Sequence, residues 1–241
     1  MTTLRQGSRG ADVRRLQEAL NRKLQGGPAL EPDGDYGPLT RMAVLRLQAA
    51  NWLVEDGEAG PCTQNVVFDS EGHAPILHPV ALIPPPAPTQ CWAAGVAMIT
   101  RSNVQAVVAR TPAELIDGDG ALRAFADTDD TETGEAFFAS AHGLTVHPAA
   151  PWPVGALRAA LQQGPLMFDL RWSAKRYAAG AGSPGHMVVV AGIRGDNDAS
   201  GRGTTLRIFD PWPPNKGARR SVNYVKWSEQ VPANACRVFL H

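Results

Sequence analysis

Prolines crowd one short stretch of the chain and limit what can fold there. Five of them lie within ten residues: Pro79, Pro84, Pro85, Pro86 and Pro88. Each fixes its own φ and lacks an N–H donor, so the stretch can be neither a helix interior nor a central strand. We therefore predict a stiff, extended linker over residues 71–89, with a separate folded region on each side.

The N-terminal region, residues 1–70, repeats one turn motif. Asp33-Gly34-Asp35-Tyr36-Gly37-Pro38-Leu39-Thr40 returns as Asp56-Gly57-Glu58-Ala59-Gly60-Pro61-Cys62-Thr63. Each copy is a tight turn followed by a proline near a helix start, where the missing N–H costs nothing. Apolar residues at helical spacing surround the turns, among them Val13, Leu16, Leu20, Met42 and Leu45. We predict a small all-α module of three helices.

The same region resembles a known family. The residues that carry the resemblance are Gly7-x-x-Gly10-x-x-Val13-x-x-Leu16-Gln17, the first turn, and Ala43-Val44-x-x-Leu47-Gln48. They are similar to the peptidoglycan-binding domain family that is attached to bacterial cell-wall hydrolases, over residues 3–68. The resemblance implies peptidoglycan as a partner, with Asp33, Tyr36 and Thr40 as candidate contacts. The alternative is that these positions only build turns and core.

The C-terminal region, residues 90–241, has helices first and strands afterwards. We predict helices over 91–101, 135–141 and 154–163, and strands over 166–172, 186–193, 205–209, 221–227 and 237–240. This order indicates an α+β domain in which a helical half and a sheet half meet at a cleft. Asp169 is a polar residue in an apolar strand, and a satisfied structural carboxylate is its favoured interpretation over a cleft residue.

Three residues of this region suggest nucleophilic chemistry. Cys91 follows the prolines at a predicted helix start, where unpaired N–H groups favour a thiolate. His186 opens one apolar strand and Asp210 follows the next, so a hairpin would bring them to the same end. An imidazole can take the proton of a thiol, and a carboxylate can orient the imidazole. The alternatives are a buried structural thiol, a hydrogen-bonded histidine at a strand end, or a zinc site.

A second resemblance covers residues 88–213. It is carried by Gln90-Cys91-Trp92-Ala93-Ala94, by Gly185-His186-Met187-Val188-Val189-Val190-Ala191-Gly192-Ile193 and by Asp210-Pro211-Trp212. These segments are similar to bacterial papain-like cysteine proteases of the avirulence-protease type and to peptidases that process double-glycine leaders. The resemblance implies a papain-like fold with Cys91, His186 and Asp210 as a catalytic triad.

The second resemblance also has a departure. The family usually has an oxyanion-hole glutamine about six residues before the nucleophile, where this chain has Pro85. Gln90 is the candidate replacement for that donor, beside the backbone N–H of Cys91. We take Trp92 and Trp212 as candidate substrate contacts, and the alternative is that they form core or the wall of the cleft.

Composition excludes several classes of partner. Lys+Arg and Asp+Glu both number 23, so the net charge of zero predicts neither nucleic acid nor anionic lipid as a partner. No apolar run is long enough for a membrane span, and the first residues lack the apolar core of a secretory signal. The histidines show no paired metal-ligand spacing, so we expect neither metal nor cofactor. Of three cysteines, Cys62 and Cys236 are candidates for a disulfide bridge.

Together these features predict a papain-like cysteine peptidase that is directed to the bacterial cell wall and cleaves peptidoglycan peptides. We expect synthesis in the cytoplasm without a signal peptide, and export by a specialised secretion system to the periplasm or cell wall as an antibacterial effector. A cognate immunity or export protein would then be a further partner. The alternatives are an effector protease that cleaves a target protein, and a non-enzymatic wall-binding protein.

Overall fold

The computed structural model describes residues 2–123, 131–147, 150–171, 185–231 and 236–241. Within these ranges the helices are α1 Ala11–Lys23, α2 Pro38–Ala50, α3 Pro61–Val67, α4 Cys91–Thr100, α5 Val104–Arg110, α6 Thr131–His142, α7 Val154–Leu161 and α8 Tyr224–Gln230. The strands are β1 Ile76–Leu77, β2 Thr145–His147, β3 Leu166–Arg171, β4 Gly185–Arg194, β5 Thr205–Asp210, β6 Ala218–Asn223 and β7 Cys236–Leu240. No helix in this part of the chain is both long and apolar enough to cross a membrane.

The chain divides into two compact units. The first combines Met1–Pro75 with Ile193–Leu206 and Ser221–Trp227. The second comprises Ile76–Gly192, Arg207–Arg220 and Ser228–His241.

The first unit contains the predicted all-α module, whose three helices α1, α2 and α3 surround a buried apolar core. One buried glutamine secures each copy of the repeated turn. The sets are Gln17 with Asp33 and Thr40, and Gln48 with Asp56 and Thr63. In both sets the glutamine Nε2 donates to the aspartate over 2.8 Å and lies 3.1 Å from the threonine Oγ1. The repeat in sequence is therefore a repeat in hydrogen bonding, and its polar residues serve the fold.

The loop between β4 and β5 belongs to the first unit and is held there by a buried ion pair. The side chain of Arg194 is 6% exposed and that of Glu71 is 15% exposed. Two parallel bonds join them: Arg194 Nε donates to Glu71 Oε1 over 2.8 Å, and Nη2 donates to Oε2 over 2.7 Å. The guanidinium also lies 5.1 Å from the ring centroid of Trp52. A buried pair of this kind costs most when one partner is removed, because the other charge then stays buried.

Cys62 decides the question of a disulfide between the two candidate cysteines, Cys62 and Cys236. It is a free, buried cysteine in α3, and its thiol donates to the carbonyl of Arg202 over 3.3 Å. Burial raises the pKa of the Cys62 thiol to about 11. The suggested bridge to Cys236 is therefore wrong, because a motif position cannot show which side chain a thiol meets in the fold.

The second unit contains most of the predicted α+β domain, without residues 193–206 and 221–227. Its sheet has the strand order β2-β7-β3-β4-β5-β6, and β1 pairs with β4. Strand β3 lies antiparallel to both β4 and β7. Helix α4 is buried from Cys91 through Ile99 and contributes most of its residues to the apolar core. Helix α4 and the sheet therefore share one core, which fixes the start of α4 relative to β4 and β5.

The predicted linker is packed rather than free. Ile76 and Leu77 form β1, and Val80, Leu82 and Ile83 pack against the core of the second unit. The segment is extended, as its prolines require, but it differs from a spacer because its apolar side chains are partly buried. The sequence prediction considered the prolines and overlooked the apolar residues between them.

One predicted strand is partly a helix. Within the predicted strand 221–227, strand β6 ends at Asn223 and helix α8 begins at Tyr224. Tyr224 and Trp227 lie three residues apart, and their ring centroids are 6.2 Å apart, which fits one helical turn. The prediction of one strand over residues 221–227 is therefore wrong from Tyr224 onwards. The end of the predicted strand at residue 172 lies outside the described residues.

Candidate active site

Cys91 is the first residue of α4. A 3-10 turn over Pro88–Gln90 leads directly into it, so the prolines end where the helix begins. Only 6% of the residue surface is exposed. The position is fixed by the packing of the whole buried helix, which makes Cys91 a rigidly held thiol.

His186 and Asp210 come from neighbouring strands of the sheet. His186 is the second residue of β4 and Asp210 is the last residue of β5. The imidazole Nε2 lies 2.7 Å from Asp210 Oδ1, and both residues are buried. The side chain of Cys91 hydrogen-bonds to the same imidazole. Because Nε2 faces the carboxylate, the other ring nitrogen, Nδ1, is left for the thiol.

The pKa of His186 reflects two opposing causes. Burial lowers it, whereas the hydrogen bonds to Asp210 and then to Cys91, together with their charges, raise it. The partners outweigh burial and raise the pKa of His186 to about 9. The imidazole is therefore held as a cation at neutral pH, the state in which it can donate a proton.

Asp210 is kept ionised by three donors. Its Oδ1 accepts from His186 and, over 3.0 Å, from the backbone N–H of Trp212. Its Oδ2 accepts from Arg220 Nη2 over 2.6 Å. Burial alone would raise the pKa of Asp210, but the bond to His186, the Trp212 N–H and the charge of Arg220 hold it below its usual value. Sequence reasoning missed Arg220, because its neighbour Arg219 offers the same charge and nothing in the sequence says which of the two reaches Asp210.

The segment before Cys91 offers no side-chain donor at residue 85. Pro85 is buried, and its carbonyl accepts from the backbone N–H of Asn215 over 2.9 Å. The side chain of Gln90 lies beside the turn that contains Gly120. A Cβ atom placed on Gly120 would lie 3.8 Å from Gln90 Nε2. The role of Gln90 in an oxyanion hole stays a prediction.

Trp92 is a core residue. It is 2% exposed and packs edge-to-face on Phe138, with ring centroids 6.1 Å apart. Its indole N–H donates to the carbonyl of Gly120 over 3.2 Å, while Thr89 Oγ1 donates to the carbonyl of Asp119 over 2.9 Å. This burial contradicts the predicted substrate contact of Trp92. Its indole instead secures the turn that contains Gly120.

Trp212 is 39% exposed and its backbone contacts Asp210, so its predicted contact with substrate stays a prediction. Asp169 has the structural role that we favoured. Its Oδ2 lies 3.6 Å from Arg237 Nη1, and the two residues face each other across β3 and β7.

The candidate peptidoglycan contacts are largely structural. Tyr36 is completely buried, and its hydroxyl donates to the carbonyl of Gly57 over 2.9 Å. Thr40 is 2% exposed and bonds to Gln17. Both positions contradict a direct contact with ligand. Asp33 is exposed, so its contact with ligand stays a prediction, although its Oδ1 already accepts from Gln17.

No group of three or more His, Cys, Asp or Glu side chains among the described residues could hold a metal ion. The chemistry available to the site is that of a thiol, an imidazole and a carboxylate in one chain of hydrogen bonds.

Known proteins match both parts of the chain. Residues 9–67 match the peptidoglycan binding domain family. A zinc D-Ala-D-Ala carboxypeptidase of Streptomyces albus G is 44% identical over 66 residues, which are 27% of this chain and 26% of that protein. The chain thus spans about a quarter of the length of this curated relative.

Two solved structures are also similar. One is a fused Zn-dependent amidase/peptidase/peptidoglycan-binding protein from Clostridium acetobutylicum ATCC 824, with 33% identity over 27% of this chain and 28% of that chain, and a TM-score of 0.26. The other is the Burkholderia AP3 phage endolysin, with 32% identity over 49% of this chain and 39% of that chain, and a TM-score of 0.27.

The larger part of the chain matches a protease family. The family is the papain-like cysteine protease AvrRpt2, and the match spans residues 75–229. This region contains Cys91, His186 and Asp210 and covers more than half of the chain. The chain therefore belongs to the papain-like cysteine protease AvrRpt2 family and has a peptidoglycan binding domain in front of the protease domain.

Proposed function

We propose that this protein is a cysteine peptidase that cleaves peptide bonds of peptidoglycan with Cys91, His186 and Asp210. One observation supports the proposal most strongly: a single buried imidazole bonds to a thiol on one side and, over 2.7 Å, to a carboxylate on the other. A structural thiol or a structural histidine has no need of this three-membered chain.

Attack begins from an ion pair. The proton of the Cys91 thiol already resides on His186 as an imidazolium, and the Cys91 thiolate adds to the carbonyl carbon of the scissile amide. Asp210 accepts from Nε2 and holds the ring so that Nδ1 points at the sulfur. The carbonyl oxygen becomes an oxyanion, and the proposed donors to it are the backbone N–H of Cys91 and the side chain of Gln90.

Collapse of the tetrahedral intermediate returns the proton. The C–N bond breaks, His186 donates its proton to the departing amine, and an acyl thioester remains on Cys91. Water then attacks the thioester while the now neutral imidazole accepts its proton. The carboxylic acid product leaves, and the thiolate of Cys91 and the imidazolium of His186 are restored. The raised pKa of His186, about 9, suits the donating step at neutral pH.

The N-terminal module supports the wall as the place of action. Residues 9–67 match a family that binds peptidoglycan, and a module of this kind raises the local concentration of an insoluble substrate. Because an enzyme must reach the wall to act on it, export by a specialised secretion system, as an antibacterial effector with a cognate immunity protein, is part of the proposal. A protein substrate is the competing outcome.

The test is digestion of purified sacculi, with a cell lysate in parallel. Full-length enzyme should release muropeptides with new amine and carboxyl termini, detected by mass spectrometry, and Cys91→Ala should release none. The inactive variant should still sediment with sacculi. New termini only in lysate proteins would replace the wall substrate by a protein substrate, and new termini in neither would refute the peptidase.

A further inference from the structure

Only one oxygen of Asp210 serves the histidine. Oδ1 faces His186 Nε2, whereas Oδ2 accepts from Arg220 Nη2 over 2.6 Å. We propose that Arg220 is a positioning residue of the active site, which fixes the plane of the Asp210 carboxylate and balances its charge. It would thereby set the pH range in which the thiolate–imidazolium pair exists. This inference rests on the proposed function of Cys91, His186 and Asp210.

Strand geometry explains why Arg220 and not its neighbour reaches the site. Successive side chains of a strand point to opposite faces, so Arg219 and Arg220 of β6 diverge. The guanidinium of Arg219 lies 5.3 Å from the ring centroid of Phe209. Of these two arginines, Arg220 is the one that is joined to Asp210. The two residues have the same charge and are both exposed, so each serves as a control for the other.

The charges of the site explain what Arg220 contributes. The charges of a thiolate and an imidazolium cancel. A papain-like site whose third residue is uncharged would therefore have no net charge. Asp210 adds a negative charge, with its side chain only 7% exposed. Arg220 restores neutrality from the other side of the carboxylate. Without it, the surplus negative charge would disfavour the thiolate and hold the proton on His186 too strongly.

Among the residues that the structure describes, three charged or titratable groups take part in this balance. Cys91 of α4 and Asp210 of β5 face His186 directly, and Arg220 of β6 faces Asp210, which also accepts from the Trp212 N–H. The side chain of Arg220 is 52% exposed, so solvent and salt weaken its effect. The single charge of Arg220 acts from beyond Asp210 and is partly screened by solvent. A charge in that position shifts the titration of the Cys91–His186 pair by about half to one pH unit.

The experiment measures how fast iodoacetamide alkylates Cys91 between pH 4 and pH 10, with peptides resolved by mass spectrometry, and needs no substrate. It uses the full chain as wild type, Arg220→Gln, Arg220→Met, Arg220→Lys and Arg219→Gln. We expect both inflections of the profile to move to higher pH, by about half to one unit, in the two neutral variants at residue 220. Arg220→Lys keeps the positive charge and should show the wild-type profile. Arg219→Gln should also show the wild-type profile. High salt should shrink the shift.

Superimposable profiles for wild type and both neutral variants would overturn the inference, as would an equal shift in Arg219→Gln. In either case Cys91 would remain reactive, and the proposed triad would stand. Alkylation of Cys91 no faster than that of Cys62 in the wild type would overturn the triad itself, and the role of Arg220 with it.

Discussion

His186 and Asp210 meet over 2.7 Å, although 24 positions separate them in the chain. Two neighbouring strands produce this contact, because β4 starts at the end of the sheet where β5 finishes. Helix α4 brings Cys91 to the same imidazole. Regular elements whose packing is fixed by the core therefore hold the three residues of the proposed triad, and variants at each residue should separate chemistry from folding.

Replacement of the nucleophile should abolish hydrolysis and leave the fold intact. Cys91→Ala removes one sulfur atom at the first residue of helix α4, and we expect the rate of hydrolysis to fall by at least about 10³-fold. The far-ultraviolet circular dichroism should be unchanged. Cys62→Ser is the matched control, because Cys62 is equally buried in the first unit and its thiol pKa is raised to about 11. Equal rates for wild type and Cys91→Ala would refute the mechanism.

Replacement of His186 and of Asp210 should lower the rate of hydrolysis by different amounts. His186→Ala removes the proton carrier, so its loss should match that of Cys91→Ala, because the two act as a unit. Asp210→Ala removes only the orienting group, and a loss of about 10²-fold is expected. Steady-state kcat/KM on a common substrate gives the comparison. A larger loss for Asp210→Ala than for His186→Ala would contradict the assigned roles.

Activity should fall as the pH rises through about 9, because His186 then loses the proton that the leaving amine requires. Asp210 raises the pKa of His186, so Asp210→Asn should move this alkaline limb to lower pH. The direction is opposite to that expected for Arg220→Gln. A kcat/KM profile from pH 5 to pH 10 tests both signs. An alkaline limb that stays in place in Asp210→Asn would show that the limb does not report on His186.

The buried pair of the first unit should matter for stability. Glu71→Gln leaves the guanidinium of Arg194 without its anion, at a cost of about 3 kcal/mol. Hydrogen exchange in residues 193–206 should accelerate in this variant. The control is Asp69→Asn, which breaks the exposed pair with Lys23 and should cost less than about 1 kcal/mol. Equal losses in urea unfolding for the two variants would refute the importance of the buried pair.

The parts of the site that follow from local patterns were predictable. The helix start at Cys91 follows from prolines and an apolar run, and the meeting of His186 with Asp210 follows from simple hairpin pairing. The helical module follows from spacing and from two copies of one turn. These features depend on residues that are close in sequence or on adjacent strands.

The features that were missed depend on packing between distant segments. Trp92 and Tyr36 look like binding residues in a motif, but their burial depends on which core surrounds them. Arg194 and Glu71 are 123 positions apart, and neither stands out in sequence. Arg220 differs from Arg219 only by the face of a strand. No spacing rule distinguishes such residues before the sheet register is known.

The covalent intermediate offers the most direct measurement. The enzyme is mixed with soluble muropeptides, quenched in acid within one turnover, digested and analysed by mass spectrometry. The mechanism predicts a thioester on the peptide that contains Cys91, with the mass of the acyl half of the cleaved stem peptide, and no such adduct on Cys62. Formation of hydrolysis products without any adduct, at a rate that Cys91→Ala retains, would contradict the central claim that Cys91 is the nucleophile of a wall peptidase.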